Sequence, residues 1–279
     1  GPSTLRKGIE YSRNLMTIRI AKILGLDKIL DLSKDLSIYK EIPELLSVSL
    51  GAAETTLMNL TSAYAIFVNG GRKIDPTLIS RIQDRRGKTI FQVKNRECLG
   101  CEKFIDQSGD YPIIKNTNKR VISKQTAYQM TSILNGAVQR GTAKKLRSLK
   151  VPLAGKTGTT NKNYDAWFIG FSSNLVVGVY LGFDNPKTLG KFETGSKAAL
   201  PVFKDFIENA LFKEDFNEFE IPENVYLTSI NYDTGLKPSP GEKNTIIEAL
   251  KIKDINNINN NDLISIDGRD TLVKFRQFY

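Results

Sequence analysis

Three short runs of strand-forming residues follow one another closely in the second half of the chain. They span Leu153 to Thr160, Asp165 to Phe171 and Leu175 to Phe183, and Ser172-Ser173-Asn174 between the last two predicts a β-hairpin. Ala198 to Leu211 comes next, with large apolar residues at helical spacing. Short strand connections followed by a helix favour an antiparallel sheet in an α+β fold over a doubly wound sheet.

Several helices are predicted before this sheet by apolar spacing and by terminal signals. Thr55 to Val68 is the clearest, because it carries an apolar face and Asn69-Gly70-Gly71 ends it. Ser123 is a suitable N-cap for a helix through Val138. Three further helices are predicted at Thr4–Tyr11, Asn14–Leu24 and Asp27–Tyr39. We therefore expect an antiparallel sheet flanked by helices.

The remaining segments are expected to be less regular. Leu78 to Phe91 predicts two short strands joined by a turn, and Glu97 to Asn118 predicts a loop. Val225 to Ile230 predicts a strand after a change of composition near Phe212. The chain is divided accordingly into a main domain at 1–212, a short mixed extension at 213–250 and an Asn-rich low-complexity tail at 251–279.

The chain contains no histidine, and this removes several kinds of catalysis. Ser-His-Asp and Cys-His mechanisms need an imidazole base, and two cysteines cannot supply the four ligands of a structural zinc ion. Proton transfer would have to use Lys, Asp, Glu or Tyr. The net charge of +10 is dispersed along the chain, so it fits an ordinary basic surface as well as an anionic partner.

The two cysteines, Cys98 and Cys101, form a Cys-x-x-Cys sequence. A redox centre of this kind usually opens a helix inside a βαβ unit, and no such pattern surrounds it here. The sequence favours a disulfide that closes a small loop.

Gly155-Lys156-Thr157-Gly158-Thr159, in the first strand run, has two interpretations. A phosphate-binding loop needs a glycine five residues before Gly155, and a helix directly after the motif. Lys150 occupies the first position, and polar residues follow the motif. The phosphate loop therefore fails on both requirements.

The second interpretation is the active-site strand of a serine acyl-transferase. The Lys156 ammonium would polarise the proton path and attract an anionic substrate, and the Thr157 hydroxyl would bind the substrate carboxylate. Gly158, without a side chain, would let an extended peptide lie alongside as an added strand. Thr159 would add a second hydroxyl and a backbone N–H for an oxyanion hole.

These motifs and their flanks resemble the transpeptidase domain of class A penicillin-binding proteins of the 1A type, in the serine β-lactamase and penicillin-binding superfamily. The resemblance covers about residues 1 to 212 and is carried by four segments: GPSTLRKGIEYSRNLMTIRIAKILG, SLGAAETTLMNLTSAYAIFVNGG, TAYQMTSILNGAVQRGTA and LAGKTGTTNKNYDAWFIGFSSNLVVGVYLGFDNP.

The resemblance assigns roles to Ser12 and Asn14, which fill the family's Ser-x-Asn motif. It implies that Ser12 relays protons between the nucleophile, Lys156 and the leaving amine, and that the Asn14 amide binds the substrate peptide. Read without the resemblance, Ser12 is a helix N-cap and Asn14 a residue at the start of a helix.

The family's nucleophile lies in a Ser-x-x-Lys motif that precedes Ser-x-Asn in the chain. The residues before Ser12 contain no such motif. Ser37-Ile38-Tyr39-Lys40 matches it in the wrong order, and Ser172-Ser173-Asn174 imitates Ser-x-Asn at a hairpin turn, so both are interpreted as chance matches. The chain is expected to lack the nucleophile and to be inactive alone, either as a truncated form or as the product of a split gene. It is also expected to expose apolar surface.

The resemblance implies that the parent protein is a peptidoglycan D,D-transpeptidase that acts on D-Ala-D-Ala stem peptides and binds β-lactams. It implies a glycosyltransferase domain, a membrane anchor and a place at the periplasmic face of the bacterial inner membrane. No cofactor, metal ion or nucleic acid is implied. A non-catalytic scaffold, and a D,D-carboxypeptidase, β-lactamase or β-lactam sensor of the same superfamily, remain as alternatives.

Overall fold

The structure is a computed structural model that describes residues 3–39, 41–94, 96–99, 101, 112–212 and 215–252. Its helices are α1 (Leu5–Glu10), α2 (Asn14–Leu24), α3 (Leu26–Asp35), α4 (Leu57–Val68), α5 (Lys124–Gln139) and α6 (Ala199–Ala210). Its strands are β1 (Arg81–Gln83), β2 (Thr89–Gln92), β3 (Arg96–Leu99), β4 (Ile113–Asn116), β5 (Ala154–Thr159), β6 (Ala166–Phe171), β7 (Val176–Leu181), β8 (Val225–Asn231) and β9 (Thr245–Lys251).

The central sheet has the order β5-β6-β7 and is antiparallel throughout. Cross-strand pairing sets Lys156 opposite Ile169 and Gly158 opposite Trp167. The β6–β7 connection is closed by a hydrogen bond from Ser172 N to Leu175 O, so the predicted hairpin is confirmed. Within the described part of the chain β5 is an edge strand of this sheet.

Helices cover both faces of the sheet, as the sequence predicted. On one face Phe203 of α6 packs against Phe168 of β6, with ring centroids 4.9 Å apart, and both side chains are fully buried. On the other face α4 and α5 pack against β5, β6 and β7, where Leu134 joins Ala154 and Phe171 in a second buried cluster. The predicted α+β fold with an antiparallel sheet is confirmed.

The helix predictions hold, apart from their ends. α4 begins after Thr56, whose side chain accepts a hydrogen bond from Asn59 N, and α5 begins after Ser123, which caps Thr126 N. α3 ends at Asp35, four residues before the predicted end, and Ser37 beyond it takes a left-handed conformation. No helix among the described residues is both long and apolar enough to cross a membrane.

The loop predicted from Glu97 to Asn118 is wrong at both ends, where β3 and β4 pair antiparallel. These strands are short and almost wholly exposed, so the alternation that marks a half-buried strand is missing from their sequences. The predicted Cys98–Cys101 disulfide is present.

The segment after residue 215 forms a further hairpin, of β8 and β9, which packs on α5. The predicted strand at Val225–Ile230 is confirmed, whereas β9 was not predicted. Gln129 of α5 donates a hydrogen bond to Ala249 O, 3.0 Å away, and Ile230 and Ala249 are buried. The domain limit near residue 212 stays a prediction, and the Asn-rich tail lies outside the described residues apart from its first two, 251 and 252.

Candidate active site

Strand β5 enters the site from the protein core. Leu153 and Ala154 are fully buried, which fixes the direction in which the following side chains alternate. Lys156 shares a sheet face with its partner Ile169, on the side of the sheet that α4 and α5 cover. Thr157 and Thr159 project to the opposite face.

Ser12 lies between α1 and α2 in a left-handed conformation, with a φ of 52°. Its backbone N–H donates to Ile9 O at 3.1 Å, which closes the last turn of α1. A residue other than glycine in this region costs on the order of 1–3 kcal/mol and persists only where its surroundings hold it. The joint predicted between the two helices therefore presents the Ser12 side chain from a constrained backbone.

The Lys156 ammonium donates a hydrogen bond to Ser12 Oγ, across 144 residues of sequence, and a second to Thr157 O at 2.8 Å. No ion pair in the described part of the chain includes Lys156. Burial lowers the pKa of the ammonium to about 8. The arrangement therefore holds a proton donor against a serine hydroxyl, with a positive charge that no carboxylate among the described residues neutralises.

The wall of the candidate site is the segment of β5 that begins at Lys156 and continues with Thr157, Gly158 and Thr159. Thr157 Oγ1 donates to Thr142 Oγ1 at 2.9 Å, and Thr159 Oγ1 accepts from Gly195 N at 2.9 Å. Gly195 approaches so closely that a Cβ on it would lie 2.4 Å from Gly158 O. The three residues are therefore held by two segments, one that contains Thr142 and one that contains Gly195.

Asn14 was also predicted as a site residue, but the structure shows no hydrogen bond between it and this wall. It is the first residue of α2, it is exposed, and its side chain makes no hydrogen bond with a described residue. Its predicted contact with a substrate peptide stays a prediction.

The two discounted motifs have other local roles. Ser37 Oγ accepts a hydrogen bond from Lys73 at 2.8 Å, and Lys40 lies outside the described residues. Ser172 Oγ donates to Asn174 Oδ1 at 2.8 Å inside the β6–β7 turn.

The phosphate-loop interpretation also fails in the structure. Gly155, Lys156 and Thr157 are extended residues inside β5, paired with β6. The motif therefore does not form a loop that opens a helix, and its backbone N–H groups do not converge on one point.

Two residues that contact this wall were not predicted from the sequence. Thr142 follows α5, and Gly195 lies in an irregular segment before α6. The one available signal was Gly195 itself, since a glycine in such a segment can mark a close backbone approach.

The antiparallel sheet is covered by helices on both faces, which defines a β-lactamase-like fold. A lysine on its edge strand meets a serine from the joint between α1 and α2, and this contact forms one wall of a cleft. The family model described as "Penicillin binding protein transpeptidase domain" matches residues 1–208. The chain belongs to this transpeptidase family.

Individual relatives agree with this assignment. Penicillin-binding protein 1A of Rickettsia conorii is 42% identical over 273 residues, which cover 97% of this chain and 34% of the relative. The crystal structure of penicillin-binding protein 1A from Haemophilus influenzae matches with a TM-score of 0.74 and 31% identity, over 89% of this chain and 40% of that one. The PonA1 protein of Mycobacterium tuberculosis in complex with penicillin V shares the fold, with a TM-score of 0.60 and 18% identity over 78% of this chain and 58% of that one. The chain thus spans about a third of the length of the curated relative.

Proposed function

We propose that this chain is part of a longer protein that cross-links peptidoglycan as a serine D,D-transpeptidase. We propose further that this full-length protein carries a glycosyltransferase domain and a membrane anchor and works at the periplasmic face of the inner membrane. Membership of the transpeptidase family supports the reaction class. Similarity to proteins described as penicillin-binding protein 1A supports the rest.

The observation that carries the proposal is the contact between Lys156 and Ser12 beside an edge strand. An extended stem peptide can add to such an edge by backbone hydrogen bonds, with Gly158 leaving room for it. The terminal D-Ala carboxylate would meet the Thr157 and Thr159 hydroxyls next to the positive charge of Lys156.

The reaction needs a serine nucleophile, which the family resemblance places in a Ser-x-x-Lys motif upstream of Ser12. Its oxygen attacks the carbonyl carbon of the penultimate D-Ala, and the peptide bond to the terminal D-Ala breaks. The proton released by the serine passes by way of Ser12 Oγ to the leaving amine. An amine of a second stem peptide then attacks the acyl-enzyme, forms the cross-link and frees the serine.

The Thr159 backbone N–H would serve as one oxyanion donor during both steps. One such donor contributes about 2.7–4 kcal/mol to transition-state stabilisation. A β-lactam imitates the D-Ala-D-Ala carbonyl and carboxylate, and PonA1, which shares the fold, was solved with penicillin V. We therefore include acylation by β-lactams at the same serine in the proposal.

Labelling with a fluorescent penicillin tests this function. The full-length protein should form one covalent adduct, and replacing the serine of its Ser-x-x-Lys motif by alanine should abolish it. Lys156→Ala should slow labelling by at least about 100-fold, because it removes both the charge and the proton donor. Residues 1–279 alone should form no adduct.

Other outcomes would redirect the assignment. No adduct with the full-length protein at saturating reagent would reject the transpeptidase and leave a non-catalytic binding piece. Hydrolysis of D-Ala-D-Ala peptides without transfer to an acceptor amine would indicate a carboxypeptidase. An adduct on Ser37 in the isolated chain would overturn our interpretation of that motif.

A further inference from the structure

Glu10, the last residue of α1, is fully buried only two residues before Ser12. Its Oε1 accepts a hydrogen bond from Arg140 Nη2 at 2.6 Å, and its Oε2 accepts from Arg140 Nε at 3.1 Å. Such two-point pairing of a guanidinium with a carboxylate fixes both the distance and the angle between the groups. The end of α1 is therefore fastened to Arg140, the C-cap of α5.

The protein makes space for Glu10 by leaving out side chains around it. A Cβ on Gly136 would lie 1.8 Å from Glu10 Oε1, and a Cβ on Gly141 would lie 2.2 Å from the Glu10 carbonyl oxygen. That carbonyl accepts a hydrogen bond from Thr142 N at 3.1 Å. Both the side chain and the backbone of Glu10 are thus docked on the end of α5.

These contacts close a ring that contains the candidate site. From Glu10 the chain leads to Ser12, whose hydroxyl meets Lys156. Lys156 contacts the Thr157 carbonyl, and the Thr157 hydroxyl meets Thr142. Thr142 returns to Glu10 through its backbone N–H. The position of Ser12 relative to β5 is therefore set from two directions, and Glu10 is where they join.

The C-terminal hairpin also contributes to this anchor. Tyr232, buried after β8, donates its hydroxyl proton to Glu10 Oε2 at 2.7 Å. Burial and then the hydrogen bond to Glu10 raise the pKa of Tyr232, so its hydroxyl stays a donor. Glu248 of β9 binds Arg6, which is buried one turn before Glu10 and donates to Ser132 O at 2.9 Å. The positive charges of Arg6 and Arg140 thus offset the negative charges of Glu10 and Glu248.

We propose that Glu10 is a positioning residue of the active site, which holds the end of α1 on Arg140 and Tyr232 so that the Ser12 hydroxyl meets Lys156. This inference rests on the proposed function. The residue touches no substrate and acts through Ser12, which its anchor keeps in a left-handed conformation. The β8–β9 hairpin takes part in catalysis in the same indirect way.

A double-mutant cycle in the full-length protein tests this role. Glu10→Gln keeps the shape of the side chain and removes its charge, and it should slow acylation by a fluorescent penicillin by about 100-fold, the effect expected of a displacement of about 1 Å. In a Ser12→Ala background the same change should slow acylation no further, because its effect passes through Ser12. Full additivity of the two losses would overturn the proposal.

Two further variants separate positioning from general destabilisation. Phe203→Leu weakens the core on the face of the sheet opposite Lys156, and it should lower the melting temperature without slowing acylation. Tyr232→Phe removes one donor to Glu10 and should slow acylation by a smaller factor, about 5-fold. Equal slowing by Phe203→Leu and Glu10→Gln at matched melting temperatures would show a purely structural role.

Competitive lysine labelling tests the positioning role of Glu10 independently of the reaction that the protein catalyses. If the wild type forms no penicillin adduct, the proposed function fails, but the reactivity of Lys156 can still be followed against pH by mass spectrometry. Glu10→Gln should raise the apparent pKa of Lys156 above about 8, because water enters as the contact with Ser12 loosens. An unchanged Lys156 titration would overturn the positioning role.

Discussion

Lys156 and Ser12 meet through one hydrogen bond although 144 residues separate them in the chain. The contact joins the edge strand of the sheet to the joint between two helices. It is polar, partly buried and without a carboxylate partner among the described residues, so the protonation of Lys156 controls its strength.

The first prediction is that the acylation rate falls as the pH rises through about 8. Burial disfavours the ammonium, so its pKa lies below the ordinary value of 10.5, and the proton is lost on the alkaline side of about pH 8. The neutral amine attracts the substrate carboxylate less and cannot hold the Ser12 hydroxyl as a cationic donor does. The second-order rate constant for a fluorescent penicillin, measured from about pH 6 to about pH 10, reports this pKa for the free enzyme.

Lys156→Arg provides the matched control for this profile. A guanidinium keeps its proton throughout this range, so the variant should be slower at neutral pH but should show no alkaline decline. A wild-type rate that rises above pH 8 would show that the neutral amine is the active form, which contradicts the role assigned to the ammonium.

The second prediction concerns Gly195, which lies against β5. A Cβ at this position would lie 2.4 Å from Gly158 O and 2.5 Å from Trp167 O, both backbone atoms of paired strands. Gly195→Ala must therefore push its segment away from the sheet and break the hydrogen bond to Thr159. We expect a loss of about 1–3 kcal/mol of stability and slower acylation of the full-length protein.

Ser196→Ala is the neighbouring control, because it removes only a hydroxyl contact with Thr194. It should melt and react with the fluorescent penicillin as the wild type does. If Gly195→Ala behaves in the same way, the close approach does not hold the wall in place.

Much of the fold could be predicted because its signals are local. Ser123 and Thr56 cap their helices, and the Ser172–Asn174 turn joins two apolar strands, so each element is specified by neighbouring residues. β3 and β9 escaped prediction because their side chains are mostly exposed or half-buried, so neither sequence shows a clear alternation.

The candidate site divides in the same way. Lys156 and Ser12 stand in short motifs that resemble those of the family, so roles could be proposed for them before their contact was known. Glu10, Thr142 and Tyr232 carry no motif, and only the folded chain brings them together. A buried ion pair is specified by tertiary packing, and no sequence period reports it.

The third prediction is that reducing the Cys98–Cys101 disulfide leaves the active site unchanged. β3 pairs only with β4 among the described residues, and both cysteines are exposed. A bridge that closes so short a loop contributes about 2 kcal/mol at most in the chain-entropy model. Acylation rates before and after reduction, with a Cys98→Ser/Cys101→Ser variant for comparison, check this. A marked loss of acylation rate in both the reduced protein and this variant would mean that the structure of the β3–β4 hairpin affects β5.

The fourth prediction is that residues 1–279, produced alone, self-associate through exposed apolar side chains. The exposed fractions are 75% for Leu15 in α2, 58% for Leu45 between α3 and α4, and 54% for Met58 in α4. Exposed apolar side chains of this size can contact another molecule. Sedimentation should show concentration-dependent oligomers, and an apolar fluorescent dye should bind them.

Variants separate these three side chains from unfolding as the cause of association. Replacing Leu15, Leu45 and Met58 by glutamine should reduce both dye binding and oligomers while the helical content measured by circular dichroism is kept. Leu78→Gln is the control, because this side chain is exposed by 98% but belongs to the segment before β1. A monomer with a sharp cooperative melt and no dye binding would contradict the prediction, because exposure of these three side chains would then not cause association.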